Sequence, residues 1–301
     1  MRVNYLSNLN IMWQERLFAY LQYILPQRLL SRLVRGVANS RIRPLKNLLI
    51  KQFVKYFKVD MSQANQPDPL AYESFNAFFT RTLKPDARPI VREAFTLASP
   101  VDGTVSQFGK IKAGRLFQAK GFDYSLYELL GGSEQRAAPF LDGQFATIYL
   151  APKDYHRIHM PLTGTLHEMV YVPGQLFSVN TATACNIPRL FSRNERVVCI
   201  FNTEYGPMAM ILVGAMIVAS IHTAWAGEVT PGLKREIQSW QYPTSTTEAI
   251  VLQRGAEMGH FQLGSTVILL FPPDMMNWVS HLQASDVVHM GQHLGSLSSH
   301  L

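Results

Sequence analysis

The sequence has few cysteines and no secretory leader pattern. Only two of its 301 residues are cysteine, Cys185 and Cys199, and their spacing matches no metal-binding or redox motif. A chain of this length can bury a core without disulfides, so we expect both thiols to be buried in a reducing compartment. The first ten residues lack a basic segment followed by an unbroken apolar run. We therefore expect the protein to face the cytoplasm.

Long apolar runs are also missing. The longest, from Met208 to Ile221, is interrupted by Gly214, whereas a membrane-spanning helix needs about 20 apolar residues. We interpret this run as buried strands. The sequence contains no internal repeat and no low-complexity tract, which argues against a repeat architecture.

Acidic residues are almost absent from residues 1–58. This segment carries eleven Lys and Arg against Glu15 alone, although the net charge of the whole chain is only +7. The remaining residues therefore have a negative balance. The basic character of the protein belongs to one end, and a basic segment of this kind suits a polyanionic partner.

Three amphipathic helices are predicted within these 58 residues. Leu17, Leu21 and Ile24 follow the spacing of one helical face, and two further apolar stripes follow Pro26 and Pro44, which suit a first helical turn. One such helix would pack on a globular core with its charges in water. Three in a row favour an anchor on anionic lipid. Nucleic acid ranks lower, because no nucleic-acid motif accompanies the charge.

Residues 59–301 have the texture of a β-rich domain. Short runs rich in β-branched and aromatic residues are separated by Gly, Pro and Asn. The runs are GTVSQFGKI, QFATIYLA, EMVYVPG, ERVVCIFN, MILVG, MIVASIH and STVILLF. Two short helices are predicted more weakly, at Ser125 to Leu130 and near Asn277 to Gln283. The predicted fold class is α+β, with a mainly β catalytic domain preceded by amphipathic N-terminal helices.

Three local features carry the candidate chemistry. They are Asp102 in SPVDGT, the segment DYHRIH at residues 154–159, and Gly264-Ser265 before an apolar run. Each alone has a simpler explanation, as a turn, a core histidine or a bulge. Together they supply Asp, His and Ser in one of the chain orders in which catalytic triads occur. A Ser-His-Asp lipid hydrolase is one hypothesis, and a non-enzymatic β module docked on a membrane or partner is another.

The surroundings of Ser265 argue against an ordinary hydrolase. A nucleophile elbow has the pattern Gly-x-Ser-x-Gly at a strand-to-helix turn, whereas Ser265 is followed by Thr-Val-Ile-Leu-Leu-Phe, a strand-like run. A serine within a strand is poorly placed to attack an outside substrate but well placed to attack the carbonyl just before it. Gly264 would help, because it has no side chain to crowd a tetrahedral intermediate.

The segment LGST and the apolar strand after it resemble the self-cleavage site of the phosphatidylserine decarboxylases, which make a pyruvoyl group from their own serine. Further segments between about residue 75 and residue 272 resemble the same family in the same order. These segments are FNAFFTRTLKPDARPI, SPVDGTVSQFGKI, DYHRIHMPLTG, YVPGQLFSVN, RNERVVCIFNTEYGPMAMILVGA and RGAEMGHFQLGSTVILLF.

The resemblance implies a self-processing triad of Asp102, His159 and Ser265, and a cut between Gly264 and Ser265 that yields chains 1–264 and 265–301. Ser265 would become a covalent pyruvoyl group. Through a Schiff base on that group the enzyme, a carboxy-lyase, would convert phosphatidylserine to phosphatidylethanolamine and carbon dioxide, with no metal and no pyridoxal phosphate. His156 is the candidate proton donor in this scheme.

The histidine segment leaves two questions open. Asp154, His156, His159 and His167 are an alternative set of metal ligands, disfavoured because no second cluster with ligand spacing accompanies them. On an extended strand the histidines at 156 and 159 would face opposite sides, so one shared site requires a turn between the flanking prolines.

The expected partners follow from the resemblance and the basic segment. We expect a zymogen of phospholipid biosynthesis that acts on phosphatidylserine in an anionic membrane, as a peripheral membrane protein on the cytoplasmic face of the cell membrane. Residues 1–58 would be the anchor and residues 59–301 the catalytic domain. The large and small chains would stay together, nucleic acid is not expected as a partner, and a homodimer is left open.

Overall fold

A computed structural model describes residues 2–216, 220–229, 235–262 and 264–298. Its α-helices are α1 (Arg2–Ile24), α2 (Gln27–Ala38), α3 (Arg43–Phe57), α4 (Phe75–Phe79), α5 (Leu126–Leu129), α6 (Glu134–Ala137), α7 (Thr181–Ala184) and α8 (Leu190–Arg193). Its strands are β1 (Thr96–Ala98), β2 (Gly103–Lys110), β3 (Arg115–Ala119), β4 (Phe122–Ser125), β5 (Gln144–Leu150), β6 (Arg157–His159), β7 (Gly164–Val172), β8 (Arg196–Thr203), β9 (Gly206–Val213), β10 (Ile221–Thr223), β11 (Gly227–Val229), β12 (Gln238–Gln241), β13 (Val251–Leu252), β14 (Glu257–Phe261), β15 (Ser265–Phe271), β16 (Met276–Trp278), β17 (Val287–Val288) and β18 (His293–Leu297).

The predicted arrangement of N-terminal helices before a mainly β domain is confirmed. Pro26 directly precedes α2 and Pro44 lies in the first turn of α3, where the missing proline N–H leaves no helical hydrogen bond unmade. Lys58 ends α3 in a left-handed conformation, a common way to stop a helix. In the part of the chain that the structure describes, no helix is both long and apolar enough to cross a bilayer.

One large antiparallel sheet forms the centre of the β domain. Its strands run in the order β12-β7-β8-β9-β15-β5-β2-β17, and β13 also pairs with β7. β15 lies inside it, paired with β9 on one side and with β5 on the other. All seven of its residues are buried. A strand covered on both faces is apolar without alternation, which accounts for the run STVILLF.

Two hydrophobic cores cover the two faces of this sheet. Val267 and Leu269 of β15 belong to one core, and Ile268 and Leu270 belong to the other. Successive side chains of a strand point to opposite faces, so this division follows directly from the pleat. The buried strand is therefore held from both faces, which fixes the position of its first residue at the end of the strand.

The N-terminal helices are attached to the β domain by buried polar side chains. The side-chain oxygen of Gln22 accepts the N–H of Ser178, and that of Gln27 accepts the N–H of Leu176, each at 2.7 Å. Ala19 is fully buried in one of the two cores. The inner face of these helices is thus part of the folded domain, while leucines on their outer face remain exposed.

Most of the predicted strands are confirmed. The runs beginning at residues 103, 144, 168, 195, 210 and 265 fall on β2, β5, β7, β8, β9 and β15. The first part of the apolar run from Met208 is the buried strand β9, as predicted. The run MIVASIH ends in β10, but residues 217–219 of it lie outside the described residues.

One of the two weak helix predictions is confirmed and the other is wrong. The helix predicted at Ser125 to Leu130 is α5, and the Ser125 side chain caps it by accepting the N–H of Glu128. The segment from Asn277 to Gln283 begins instead in strand β16, paired with β18. Pairing with a strand distant in sequence overrode a weak local preference.

Candidate active site

Neighbouring strands bring two of the predicted site residues, Ser265 and Asp102, to the same end of the large sheet. Ser265 begins β15 and pairs with Leu150, the last residue of β5. On the other side of β5, Thr104 of β2 pairs with Tyr149. Asp102 lies just before β2, so its backbone is two strand spacings, about 10 Å, from that of Ser265 at the same edge.

The predicted cut lies against the loop that carries His156. β5 ends at Leu150, beside Ser265, and the chain continues through residues 151–156. The N–H of Phe261, the last residue of β14, donates to the carbonyl of His156 at 3.1 Å. The two ends of the 151–156 loop are therefore bound to the two strands that flank the cut.

The residues on either side of the predicted cut are unusual in conformation and in bonding. Gly264 has a φ of +46°, a left-handed conformation that is strained for residues with a side chain. Apart from its chain neighbours, no atom of the described residues lies within 4 Å of where a Cβ would be. Ser265 is completely buried, and its Oγ has no hydrogen-bond partner among the described residues. A buried unpaired hydroxyl is destabilising, and Thr266 has one too; Ser265 differs in that it directly follows the left-handed Gly264.

Asp102 is held by a partly buried arginine that the sequence argument missed. The Nε of Arg88 donates to both carboxylate oxygens, at 2.8 and 3.0 Å, and a terminal nitrogen of Arg88 bonds to Oδ2 as well. The N–H of Met290 donates to Oδ1 at 2.9 Å. The hydrogen bonds to the carboxylate raise the pKa of Arg88 above its usual value. The Asp102 side chain is therefore fixed in place with its charge compensated.

His159 is held between a carbonyl and a tyrosine. Its Nδ1 lies 2.8 Å from the carbonyl of Gly255, and its Nε2 lies 3.0 Å from the hydroxyl of Tyr155. Because a carbonyl only accepts, Nδ1 must carry the hydrogen, and Nε2 then accepts from the tyrosine. Burial lowers the pKa of His159 below its usual value, which favours the neutral ring at neutral pH. Tyr155 is a second site residue that the sequence argument missed.

His156 is buried with one ring nitrogen unpaired. Its Nδ1 bonds to the carbonyl of Asp154 at 2.9 Å, so this nitrogen carries the hydrogen. Its Nε2 has no partner in the described ranges, and the ring of Phe79 packs on it with ring centres 4.1 Å apart. Burial lowers the pKa of His156 to about 3. The ring is thus neutral, with an unused lone pair, in the loop bonded to the strand that leads to the predicted cut.

The structure brings the three predicted triad residues to one region without bonding them directly. The N–H of His159 donates to the carbonyl of Pro100 at 2.9 Å, two residues before Asp102. Across the described residues, no hydrogen bond joins Asp102, His159 and Ser265 to one another. The triad therefore stays a prediction.

The two histidines lie at different levels of β14. His159 pairs with Glu257, whereas the carbonyl of His156 bonds to Phe261, nearer the cut. Within the described ranges no group of three or more His, Cys, Asp or Glu side chains is arranged to hold a metal ion.

The family comparisons agree with the motifs at this edge. A family model described as "Phosphatidylserine decarboxylase" matches residues 75–296, and a second, described as "PSD", matches residues 17–58. Matched relatives named "Phosphatidylserine decarboxylase proenzyme" include those of Stutzerimonas stutzeri, 57% identical over 94% of this chain and 95% of the relative, and of Ectopseudomonas mendocina, 59% identical over 94% and 99%. That of Bordetella avium is 56% identical over 96% and 97%.

This chain belongs to the phosphatidylserine decarboxylase family. The resemblance found in the separate motifs is thereby confirmed, together with the prediction of an enzyme of this family. The second match falls on the end of α1 and on α2 and α3, so the family likeness extends into the basic helices. The relatives are named as proenzymes, which is the form expected of a chain that processes itself.

Proposed function

We propose that this protein converts phosphatidylserine to phosphatidylethanolamine and carbon dioxide after cutting its own chain between Gly264 and Ser265. The observation that carries the proposal is the buried, unpaired Oγ of Ser265, which follows a glycine in a left-handed conformation. A hydroxyl in that position is close to the carbonyl of the preceding residue and has no competing hydrogen bond. The names of the matched relatives support the same substrate.

The residues at the cut suit a pyruvoyl group. Such a group keeps the carbon skeleton of Ser265, exchanges its nitrogen for an oxygen and loses the side-chain hydroxyl, so it fits the volume that the serine now fills. The unpaired lone pair of His156 Nε2 supplies a proton-transfer group in the neighbouring loop. Once formed, the pyruvoyl ketone supplies an electron sink for the bond broken when carbon dioxide leaves.

The chain's own residues carry out the cleavage. The Oγ of Ser265 attacks the carbonyl carbon of Gly264 while a base accepts the hydroxyl proton, and the acyl group moves from nitrogen to oxygen to give an ester. Loss of the Ser265 α-proton then breaks the Cβ–Oγ bond, and the large chain leaves with a terminal carboxylate. Hydrolysis releases ammonia and completes the new terminus of the small chain.

His159 is the proposed base and Asp102 its electrostatic partner. Burial lowers the pKa of His159, so the ring is neutral and able to accept a proton. Its Nδ1 is oriented by Gly255 and its Nε2 bears the lone pair, at present bonded to Tyr155. The charge of Asp102 favours the imidazolium that forms. His156 is the proposed proton donor in decarboxylation. Because its neutral ring carries its hydrogen on Nδ1, its Nε2 must first accept a proton before it can donate one.

The decisive experiment is a denaturing gel combined with a mass measurement. We expect the wild type to run as chains 1–264 and 265–301, and Ser265→Ala to run as one chain. The matched control is Thr266→Val, because Thr266 is also buried with an unpaired hydroxyl, but adjacent strand residues face opposite sides of the sheet. This control should still split. The small chain should be lighter than a serine-terminated fragment by the mass of one ammonia.

An intact, active wild type would overturn this proposal. A single chain that reacts with serine-directed inhibitors would favour the lipid hydrolase instead, and a single chain without either activity would favour a binding module. A small chain with an ordinary serine terminus would show that the bond had been cut by another route.

We further propose that residues 1–58 attach the enzyme peripherally to anionic lipid at the cytoplasmic face of the membrane. The outer stripe of α2 leaves Leu29 and Leu33 more than half exposed, amid a segment with eleven cations and one acid. Apolar side chains and cations on one surface suit an anionic bilayer, where each cation contributes about 1 kcal/mol.

The attachment is tested on vesicles with and without phosphatidylserine. Leu29→Gln combined with Leu33→Gln should weaken binding at least about tenfold, since a buried leucine contributes about 1.5 to 3 kcal/mol. The control is Leu141→Gln, an exposed leucine outside the helices. Equal binding by both variants, or binding that ignores phosphatidylserine and salt, would refute this surface. Point changes are preferable to deletion, because Ala19 belongs to the core.

A further inference from the structure

Arg81 is a buried cation whose hydrogen bonds are only partly made. Just 4% of the residue is exposed. Its Nη2 donates to the carbonyl of Lys153 at 3.0 Å, whereas Nε and Nη1 have no partner among the residues that the structure describes. Burial lowers the pKa of Arg81 below its usual value, because the charged form has lost water. Unpaired donors on a buried cation are destabilising unless an anion binds there.

Arg81 lies at the end of α4 that faces the candidate active site. It follows α4, a helix about 7 Å long. At one end of α4, Phe75 lines an apolar groove of 730 Å³ between α2 and α3. At the other end, Phe79 packs on His156. α4 thus connects a surface suited to acyl chains with a site suited to the serine headgroup, and Arg81 follows its active-site end.

The backbone around Arg81 is fixed to the same site. The Nε of Arg157 donates to the carbonyl of Thr80 at 2.9 Å. The side-chain nitrogen of Asn76 lies 3.4 Å from the side-chain oxygen of Gln262, two residues before the cut. Because α4, the carbonyl of Thr80 and one nitrogen of Arg81 itself are each bonded to the β domain, the guanidinium is positioned before any ligand arrives, which reduces the entropy lost on binding.

We propose that Arg81 binds the phosphodiester of the phospholipid headgroup, an inference that rests on the proposed function. The phosphodiester stays negative throughout the reaction, and arginine N–H groups match the geometry of phosphate oxygens. The carboxylate of the substrate is a worse partner. It loses its charge as carbon dioxide leaves, so a guanidinium bound to it would stabilise the starting state more than the transition state and slow the reaction.

The test measures lipid binding separately from turnover. The cleaved enzyme is treated with borohydride, which reduces the reactive ketone, and is then titrated by calorimetry with dihexanoyl phosphatidylethanolamine and dihexanoyl phosphatidylserine. For Arg81→Gln we expect both dissociation constants to rise about tenfold to a hundredfold, because a charged hydrogen-bond donor is lost. Arg81→Lys keeps the positive charge but lacks the planar, two-pronged guanidinium, so its dissociation constants should lie between those of the wild type and Arg81→Gln. The control with the same charge change is Arg92→Gln, at an exposed position.

The two lipids distinguish the two anions. If Arg81 binds the carboxylate, Arg81→Gln weakens only the serine lipid, and the phosphodiester proposal is wrong. Unchanged binding of both lipids, or the same loss in Arg92→Gln, also overturns it. In steady-state assays the substitution should act mainly on KM, since the phosphodiester charge does not change during the reaction.

A wild-type measurement covers the case in which Arg81→Gln does not fold or cleave. Methylating the phosphate of dihexanoyl phosphatidylethanolamine removes its negative charge, and this lipid should bind about tenfold or more weakly than its parent. Equal binding would overturn the proposal. The two proposals fail differently. A wild type that never forms two chains refutes the proposed function. A wild type that cleaves itself and decarboxylates, while Arg81→Gln leaves the dissociation constants of both lipids unchanged, refutes only this inference.

Discussion

Replacing Arg88 with methionine should destabilise the protein through the carboxylate that it leaves behind. Asp102 is buried, and without Arg88 its remaining hydrogen-bond donor among the described residues is the N–H of Met290, with the ring of His289 farther away at 3.8 Å. Removing one partner of a buried ion pair costs about 3 to 5 kcal/mol. For 301 residues the unfolding entropy is about 0.6 kcal/mol per kelvin, so a loss of about 3 kcal/mol lowers Tm by about 5 °C.

The measurement uses the Ser265→Ala background, in which one chain unfolds. Thermal unfolding is compared for Arg88→Met, Asp102→Asn and the pair of changes together. Asp102→Asn removes the buried charge. The double variant should therefore have a free energy of unfolding at least about 1 kcal/mol higher than Arg88→Met alone. With Ser265 restored, Arg88→Met should also slow self-cleavage, since Asp102 is no longer held in place.

The matched control is the same substitution at an exposed ion pair. Arg115 pairs with Asp123, and both side chains are nearly half exposed. Arg115→Met should therefore cost less than about 1 kcal/mol, or below about 2 °C. If Arg88→Met and Arg115→Met lower Tm equally, or if Asp102→Asn recovers nothing, the Arg88–Asp102 pair is not the buried unit described above.

Three further predictions concern single positions. The His156 ring should stay neutral from pH 5 to 8 by NMR. The pKa of histidine is about 6.5 in the unfolded state and about 3 in the native state, so the contribution of His156 to the free energy of unfolding falls as the pH drops through this window. His156→Gln should make the free energy of unfolding less dependent on pH. Tyr155→Phe removes the bond to His159 and should slow self-cleavage about twofold to tenfold on timed gels. Gly259→Ala would place a Cβ 2.1 Å from a carbonyl oxygen of β10, so its Tm should fall by several degrees.

The controls for these variants are already present in the chain. Tyr127 is an exposed tyrosine, so Tyr127→Phe should not change self-cleavage. Gly36 lies in α2 with nothing near its Cβ position, so Gly36→Ala should leave Tm unchanged or raise it. A His156 ring that titrates near pH 6.5, a Tyr155→Phe enzyme that cleaves at the normal rate, or a Gly259→Ala protein as stable as Gly36→Ala would contradict the corresponding contact.

Local patterns were enough to predict the three N-terminal helices and the strands β2, β5, β7, β8, β9 and β15, and they are the basis of the predicted cut. Amphipathic spacing and the prolines at residues 26 and 44 depend on neighbouring residues alone, and so does the apolar run after Ser265. The helix predicted near Asn277 failed because strand β18, far along the chain, offered a better partner. Weak local preferences are decided by such long-range pairing.

The bonding partners within the site depend on the tertiary structure. Spacing in the sequence does not predict that Arg88 neutralises Asp102 or that Tyr155 hydrogen-bonds to His159. It also does not predict that Arg81 is buried with unpaired N–H donors. The sequence by itself determined which residue types are available and where strands and helices begin. Only the tertiary structure decided which of these residues come into contact and are buried. Burial shifts their pKa values and leaves some of their polar groups without a hydrogen-bond partner.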